Sequence, residues 1–189
     1  MNYYEAIIMI LEKRGPATIP LIWEEMNKLM TITRDEDIDI VHLKSIIGLK
    51  REWFMLNGDL VSIRPERDPV KLIFKLSGYP GPEVKVTVDF IKGTFTFFEW
   101  HFNLKGRVPR ATIKQLGSVE EFKKDLYSLH IWDWEKDYQI DGIIVDGTSW
   151  SVVLETKGEI FVREGLDSFP KEWKRFCRSM SQLTGVYLG

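Results

Sequence analysis

At 189 residues the chain is long enough for one large domain or two small ones. A composition of 44% hydrophobic, 29% charged and 13% aromatic residues excludes intrinsic disorder, which goes with few aromatics and unbalanced charge. A formal net charge of −2 excludes a general polycation, and the one cysteine, Cys177, excludes both an intramolecular disulfide and a cysteine-built zinc site.

Tyr4, Ile7, Ile8 and Leu11 fall at i, i+3, i+4 and i+7 and predict a first helix, ended by Gly15-Pro16. Thr18 is placed to cap a second helix with Pro20 just inside it and Ile22, Met26 and Leu29 as its apolar stripe. The polar run Thr31 to Asp37 reads as a loop. A third helix starts near Asp37 or Asp39, with Ile40, Leu43, Ile46 and Ile47 inward. Asn57-Gly58 between two apolar runs predicts a hairpin with a type I′ turn, because both residues tolerate positive φ.

Three helices and a hairpin predict a winged helix-turn-helix over residues 1–68. The runs Y-x-x-A-I-x-x-I-L from Tyr3, W-E-E-M from Trp23 and R-E-W-F-M-L-N-G-D-L-V-S-I from Arg51 resemble the winged-helix domain of the RNA polymerase delta subunit and the wider HARE-type helix-turn-helix group. That resemblance implies contact with nucleic acid or with RNA polymerase. The third helix would present His42, Lys44, Ser45, Lys50 and Arg51, and the wing Arg64 and Arg67. Residues 1–68 hold nine Lys and Arg against twelve Asp and Glu, and residues 69–189 hold 17 against 16. Neither part has the basic bias that dominates DNA affinity, so a solvated surface or a protein partner ranks ahead of direct DNA reading.

Arg64 to Pro69, polar and with two prolines, marks a boundary that leaves residues 69–189 as a second domain. Val70 to Leu76 reads as a short strand or as more linker. Val84, Val86 and Val88 alternate with polar residues and predict a strand, paired in a hairpin with Thr94 to Phe102. Asn103 to Arg110 is a polar loop. Ser118-Val119-Glu120-Glu121 is a capping box that opens a helix with Phe122, Leu126 and Leu129 on one face. Further strands are expected near Ile140–Val145, Trp150–Thr156 and Glu159–Arg163. A closing helix is expected from Ser168 and Pro170, with Trp173, Phe176, Met180 and Leu183 as its stripe. The fold class is α+β: a winged helix-turn-helix followed by a small domain with a mostly antiparallel sheet and packed helices.

The spacing of Phe122, Leu126, Leu129, Trp134, Tyr138, Asp146, Gly147, Thr148, Trp150, Gly165, Phe169, Pro170, Trp173 and Phe176 resembles a recurrent bacterial module with a DGTxW…GxxxFPxxW pattern. The resemblance brings no activity with it. Turns, core and a first helical turn account for these residue types.

A catalytic reading competes with it. Asp141, or alternatively Asp146, followed by Glu155-Thr156-Lys157, resembles the PD-(D/E)xK nuclease signature. Glu155 and Lys157, two apart on a strand, would share a face, and the carboxylates would hold Mg²⁺ to activate a water. Ile140 stands where that signature has Pro, and turn chemistry already explains Asp146-Gly147-Thr148. Glu99 and His101, with Asp89 across the hairpin, form a second metal candidate, though an exposed strand pair of such residues is commoner, and Arg175 and Arg178 could depress the Cys177 thiol, though a lone helical cysteine is more often a small packing residue. No phosphate-cradling loop or G-x-S-x-G context occurs.

These readings point to a non-enzymatic regulatory or binding protein without cofactor. Its winged helix would meet DNA, RNA polymerase or another protein, and its second domain would act as an interaction module. A Mg²⁺-dependent nuclease and an interaction or immunity-type protein with no nucleic-acid role are the alternatives. No stretch reaches the roughly 18 apolar residues of a membrane span, and no basic-then-apolar leader opens the chain. No membrane partner and a reduced, cytoplasmic setting are therefore expected.

Overall fold

The computed structural model describes residues 2–33, 38–78, 81–100, 116–140 and 147–188, with side chains from residue 30 to 33 excepted. The fold is α+β, and the chain divides into two compact units, Met1–Asp68 and Pro69–Gly189.

In the first unit, α1 (Tyr3–Arg14) buries Tyr4, Ala6, Ile7, Ile8, Ile10 and Leu11. It stops where Gly15, at φ +76°, returns its N–H to the Leu11 carbonyl at 2.8 Å. β1 (Ala17–Thr18) precedes α2 (Ile19–Thr33), in which Ile22 and Met26 are fully buried. No Gly or Pro interrupts Thr31-Ile32-Thr33, and the helix runs through residues expected to be loop. α3 (Ile40–Leu49) is capped by Asp39, whose carboxylate accepts the His42 N–H at 2.6 Å. Trp23 Nε1 donates to the Ile38 carbonyl at 2.6 Å, and Ile38 N–H donates to Asn27 Oδ1 at 3.2 Å, which fixes the entry to α3 on α2.

β2 (Phe54–Asn57) and β3 (Leu60–Ile63) join β1 in an antiparallel sheet of order β1-β3-β2. Asn57 pairs directly with Leu60, so the two-residue turn is Gly58-Asp59 and not Asn57-Gly58. Gly58 has φ +61° while Asp59 stays out of the positive region, the pattern of a type II′ turn with glycine first.

The second unit is built on a six-stranded sheet of order β6-β5-β4-β8-β9-β7. Its strands are β4 (Pro69–Gly78), β5 (Glu83–Asp89), β6 (Thr94–Trp100), β7 (Asp137–Tyr138), β8 (Thr148–Thr156) and β9 (Ile160–Leu166). Among the described residues all its pairings are antiparallel except β7 with β9. β4 is no linker. Leu72 and Phe74 are fully buried, while Lys71, Ile73 and Lys75 take the other face.

α4 (Val119–Ser128) and α5 (Trp173–Thr184) lie on the Phe74 face. Phe74 meets Trp173 and Phe176 edge-on at 5.9 and 5.2 Å, and Phe90 stacks on Phe122 at 6.2 Å. The Ser118 hydroxyl accepts from Glu120 and Glu121 N–H to open α4. Ser179 Oγ donates to Asp125 Oδ2 at 2.7 Å and ties α5 to α4.

Trp150 is the centre of this core. It is 2% exposed, lies 4.7 Å from Trp173, 5.6 Å from Tyr138 and 6.1 Å from Trp134, and donates its indole N–H to the Ser168 carbonyl at 2.8 Å. Gly165 is its cross-strand partner. A Cβ there would stand 2.6 Å from Trp150 Nε1 and 2.7 Å from the Ser168 oxygen, so only a glycine lets the indole cross β9. Asp167 holds the turn beyond, at φ +49°: its N–H donates to the Thr148 carbonyl at 2.9 Å and its carboxylate accepts the Thr148 N–H at 2.6 Å. The closing helix starts at Trp173 and not at Ser168.

Gly165→Ala is expected to cost about 1–3 kcal/mol, the range for forcing atoms into a packed core. Urea unfolding followed by tryptophan fluorescence reads this as a lowered midpoint. The cost should shrink in a Trp150→Phe background, where the nearest clashing atom is gone.

Candidate partner-binding surface

α3 is apolar around most of its circumference. Leu43 and Ile47 are buried, and Ile40 and Ile46 are half-buried, which leaves Val41 and Leu49 outside the inward stripe. They are 70% and 80% exposed, and with Ser45 and Gly48 they make up the outward stripe of the helix at i, i+4, i+7 and i+8. The hairpin adds exposed Met55, Leu56 and Leu60. Met55, Asn57, Leu60 and Ser62 share one face of it by register.

The polar residues named from the sequence have mixed fates. His42 is exposed and meets Tyr3 edge-on at 5.7 Å. Ser45 turns its hydroxyl back to the Val41 carbonyl at 3.1 Å. Lys50 lies 5.2 Å over the Tyr4 ring and 3.5 Å from the Glu52 carboxylate. Arg67 lies 4.9 Å over the Trp53 ring, and Arg64 Nε donates to the Arg51 carbonyl. Three of the cations therefore brace the first unit itself. Lys44 and Arg51 are exposed on α3 and just after it, with no ion pair from either side chain among the described residues.

Val41, Leu49, Met55, Leu56 and Leu60 are not among the polar residues expected to meet a partner. The signal was in the helix all along: six apolar residues in ten, where one stripe needs about four.

In the second unit the described residues do not set Glu155 and Lys157 on one strand face, as the sequence had led us to expect. Asp141, Asp146 and the strand expected at 140–145 lie outside the described residues, except Ile140, which follows β7. Glu155 is exposed on the sheet face away from α4 and α5, opposite Lys71 and Ile160. Lys157 is not on the strand. β8 ends at Thr156, whose hydroxyl accepts the Glu159 and Gly158 N–H groups and donates to the Glu159 carbonyl at 2.8 Å. That closed turn removes Lys157 from the alternation that would have set it beside Glu155.

Glu99 and Asp89 also part. Glu99 pairs with Val84 on the helix-covered face, whereas Asp89 pairs with Thr94 on the opposite one, and His101 lies outside the described residues. Asp89 serves its turn. The Lys92 N–H, then the Lys92 charge and the Ile91 N–H, hold its carboxyl below the usual range. No group of three or more His, Cys, Asp or Glu side chains gathers as a metal site among the described residues. A hollow of about 350 Å³ bordered by Leu76, Gly78, Pro82, Thr148 and Leu188 holds one acidic side chain, Glu99. No described helix is long and apolar enough to cross a membrane.

Cys177 is 4% exposed within α5, and burial pushes its thiol up to about 12. This is the packing cysteine and not the depressed thiol: Arg175 and Arg178 are exposed, and Arg175 turns to Ser128 Oγ at 3.2 Å. The expected consequence is slow labelling of native Cys177 by thiol reagents and rapid labelling after unfolding. A second consequence follows by linkage. The folded thiol titrates above the unfolded value of 9.0, so its contribution is complete below pH 9 and is lost as pH rises towards about 12. Urea midpoints measured across that window should fall more steeply for the wild type than for Cys177→Ala.

No protein-family model, no curated protein and no solved structure matches the chain.

Proposed function

We propose that the chain is a non-enzymatic regulatory protein whose first unit is a winged helix-turn-helix that binds a protein of the transcription machinery through α3 and the β2–β3 hairpin. In this reading the second unit is an interaction module. The element order α1-β1-α2-α3-β2-β3, with a short strand completing the hairpin sheet, supports the winged-helix assignment.

The observation that carries the choice of partner is the exposure of Val41 and Leu49 at the middle of the outward face of α3. Groove recognition asks that position for hydrogen-bond donors and cations aimed at bases and phosphates. A protein surface rewards apolar side chains there, since burying each removes apolar area from water. The commitment of Lys50, Arg64 and Arg67 to contacts within the first unit, and that unit's acidic balance, favour the same side. RNA polymerase is the partner implied by the resemblance of the first unit to the delta-subunit domain.

The test uses the full chain immobilised against purified RNA polymerase. Val41→Asp with Leu49→Asp is expected to weaken retention about 30- to 100-fold, the scale of two apolar anchors lost. Lys44→Ala with Arg51→Ala should change it about threefold or less. If the chain instead shifts duplex DNA with steep salt dependence, and the Lys44 and Arg51 changes abolish the shift, DNA is the partner. Binding to neither sinks the proposal.

A further inference from the structure

The tip of the β2–β3 hairpin joins two residues whose groups react with one another. The chain has four asparagines, Asn2, Asn27, Asn57 and Asn103, and they precede Tyr3, Lys28, Gly58 and Leu104. The peptide nitrogen of the following residue attacks an asparagine side-chain amide, and a Cβ on that residue crowds the five-membered ring that forms. Glycine has no Cβ. Of the four, Asn57 is therefore the asparagine whose neighbour hinders the reaction least.

Folding leaves both groups accessible. Asn57 and Gly58 are exposed. Among the described residues the Gly58 N–H enters no hydrogen bond, and a Cβ at Gly58 would meet nothing within 4 Å. The next residue is anchored, since the Asp59 carbonyl accepts the Ile19 N–H at 2.9 Å. Asn57 is the last residue of β2 and pairs with Leu60. Its extended backbone turns the Gly58 nitrogen away from the side-chain amide, so ring closure follows an opening of this end pair. That opening is local: β2 has four residues and the last three are exposed.

We propose that Asn57 is a self-modification site whose reaction retires the hairpin as a binding surface. The Gly58 nitrogen bonds to Asn57 Cγ, the bond from Cγ to the side-chain nitrogen breaks, and ammonia leaves with the proton of the Gly58 nitrogen. Water then opens the succinimide. Attack at one carbonyl gives aspartate, and attack at the other gives isoaspartate. Either product puts a carboxylate on the face that holds Met55, Leu60 and Ser62. Isoaspartate also adds a methylene to the main chain, which spoils the pairing of residue 57 with Leu60. The loss of binding rests on the reading of this hairpin as a protein-binding surface: a partner that covers the face has to desolvate the new charge. A bound partner also holds residue 57 opposite Leu60, so the bound chain is protected and the unbound chain ages.

Incubation of the full chain at mildly alkaline pH, followed by peptide mass spectrometry, tests this. The mass gain of an amide turned acid should appear at Asn57 while Asn2, Asn27 and Asn103 keep their amides, and fragmentation should show both isomers. Asn57→Gln, which needs a larger ring, should stay unmodified at that position with unchanged circular dichroism. In the aged chain, hydrogen exchange of the Leu60 amide should quicken about tenfold, the scale of one hydrogen bond lost from a local opening. Asn57→Asp should weaken retention on RNA polymerase about tenfold, the scale of one charge desolvated at the interface. Saturating polymerase should slow the conversion of the wild type. An Asn57 that keeps its amide as long as Asn2 and Asn27 do overturns the proposal. Conversion with unchanged Leu60 exchange, or an Asn57→Asp chain that binds like the wild type, overturns it as well. A fresh wild-type chain that does not bind polymerase overturns the partner reading and the loss of binding with it, and the mass and exchange measurements then decide the modification by themselves.

Discussion

The second unit depends on one indole crossing one glycine. Trp150 reaches over β9 because Gly165 offers no Cβ, and its N–H is satisfied by the Ser168 carbonyl beyond. Beyond it, Asp167 takes a left-handed turn, and α5 follows from Trp173 across the sheet. Trp173 and Phe176 then close on Phe74, while Trp134 closes on Phe176 and on Trp150 from the segment before β7. Each ring of this kind buries on the order of 150–250 Å², so the cluster supplies a large share of the core's apolar burial. Residues that a pattern search can only report as spaced tryptophans and glycines are here parts of one packing solution.

The same economy explains why Glu155 and Lys157 do not share a strand face. Thr156 uses its hydroxyl three ways to close the turn to β9, and Lys157 is carried out of the strand by that turn. Glu155 is left on the open face, beside a lysine and an isoleucine. Asp89, offered as a metal ligand by its sequence neighbourhood, is occupied with backbone N–H groups of its own hairpin. Local turn chemistry claims polar side chains first, and what remains for binding is mainly apolar.

The surface proposed to bind a partner follows from that remainder. α3 carries more apolar residues than its inward stripe can bury, which leaves Val41 and Leu49 exposed on its outward face.

Much of the architecture is legible in the amino-acid sequence. The 3.6-residue stripes of Tyr4 to Leu11 and of Phe122 to Leu129 announce their helices, and the alternation of Val84, Val86 and Val88 announces β5, because these periods are properties of the backbone alone. The α+β class and the helix caps at Asp39 and Ser118 come from the same local rules. Tertiary structure decided the rest. Ala17–Thr18 becomes a strand only because β3 is there to receive it, and the turn Gly58-Asp59 is chosen by the pairing of Asn57 with Leu60. The fate of Lys50, Arg64 and Arg67 turns on rings and carbonyls brought beside them by folding. The Cys177 thiol is pushed up because folding buries it within α5. Period and cap are fixed by neighbours in the chain, whereas burial, register and charge pairing are fixed by neighbours in space.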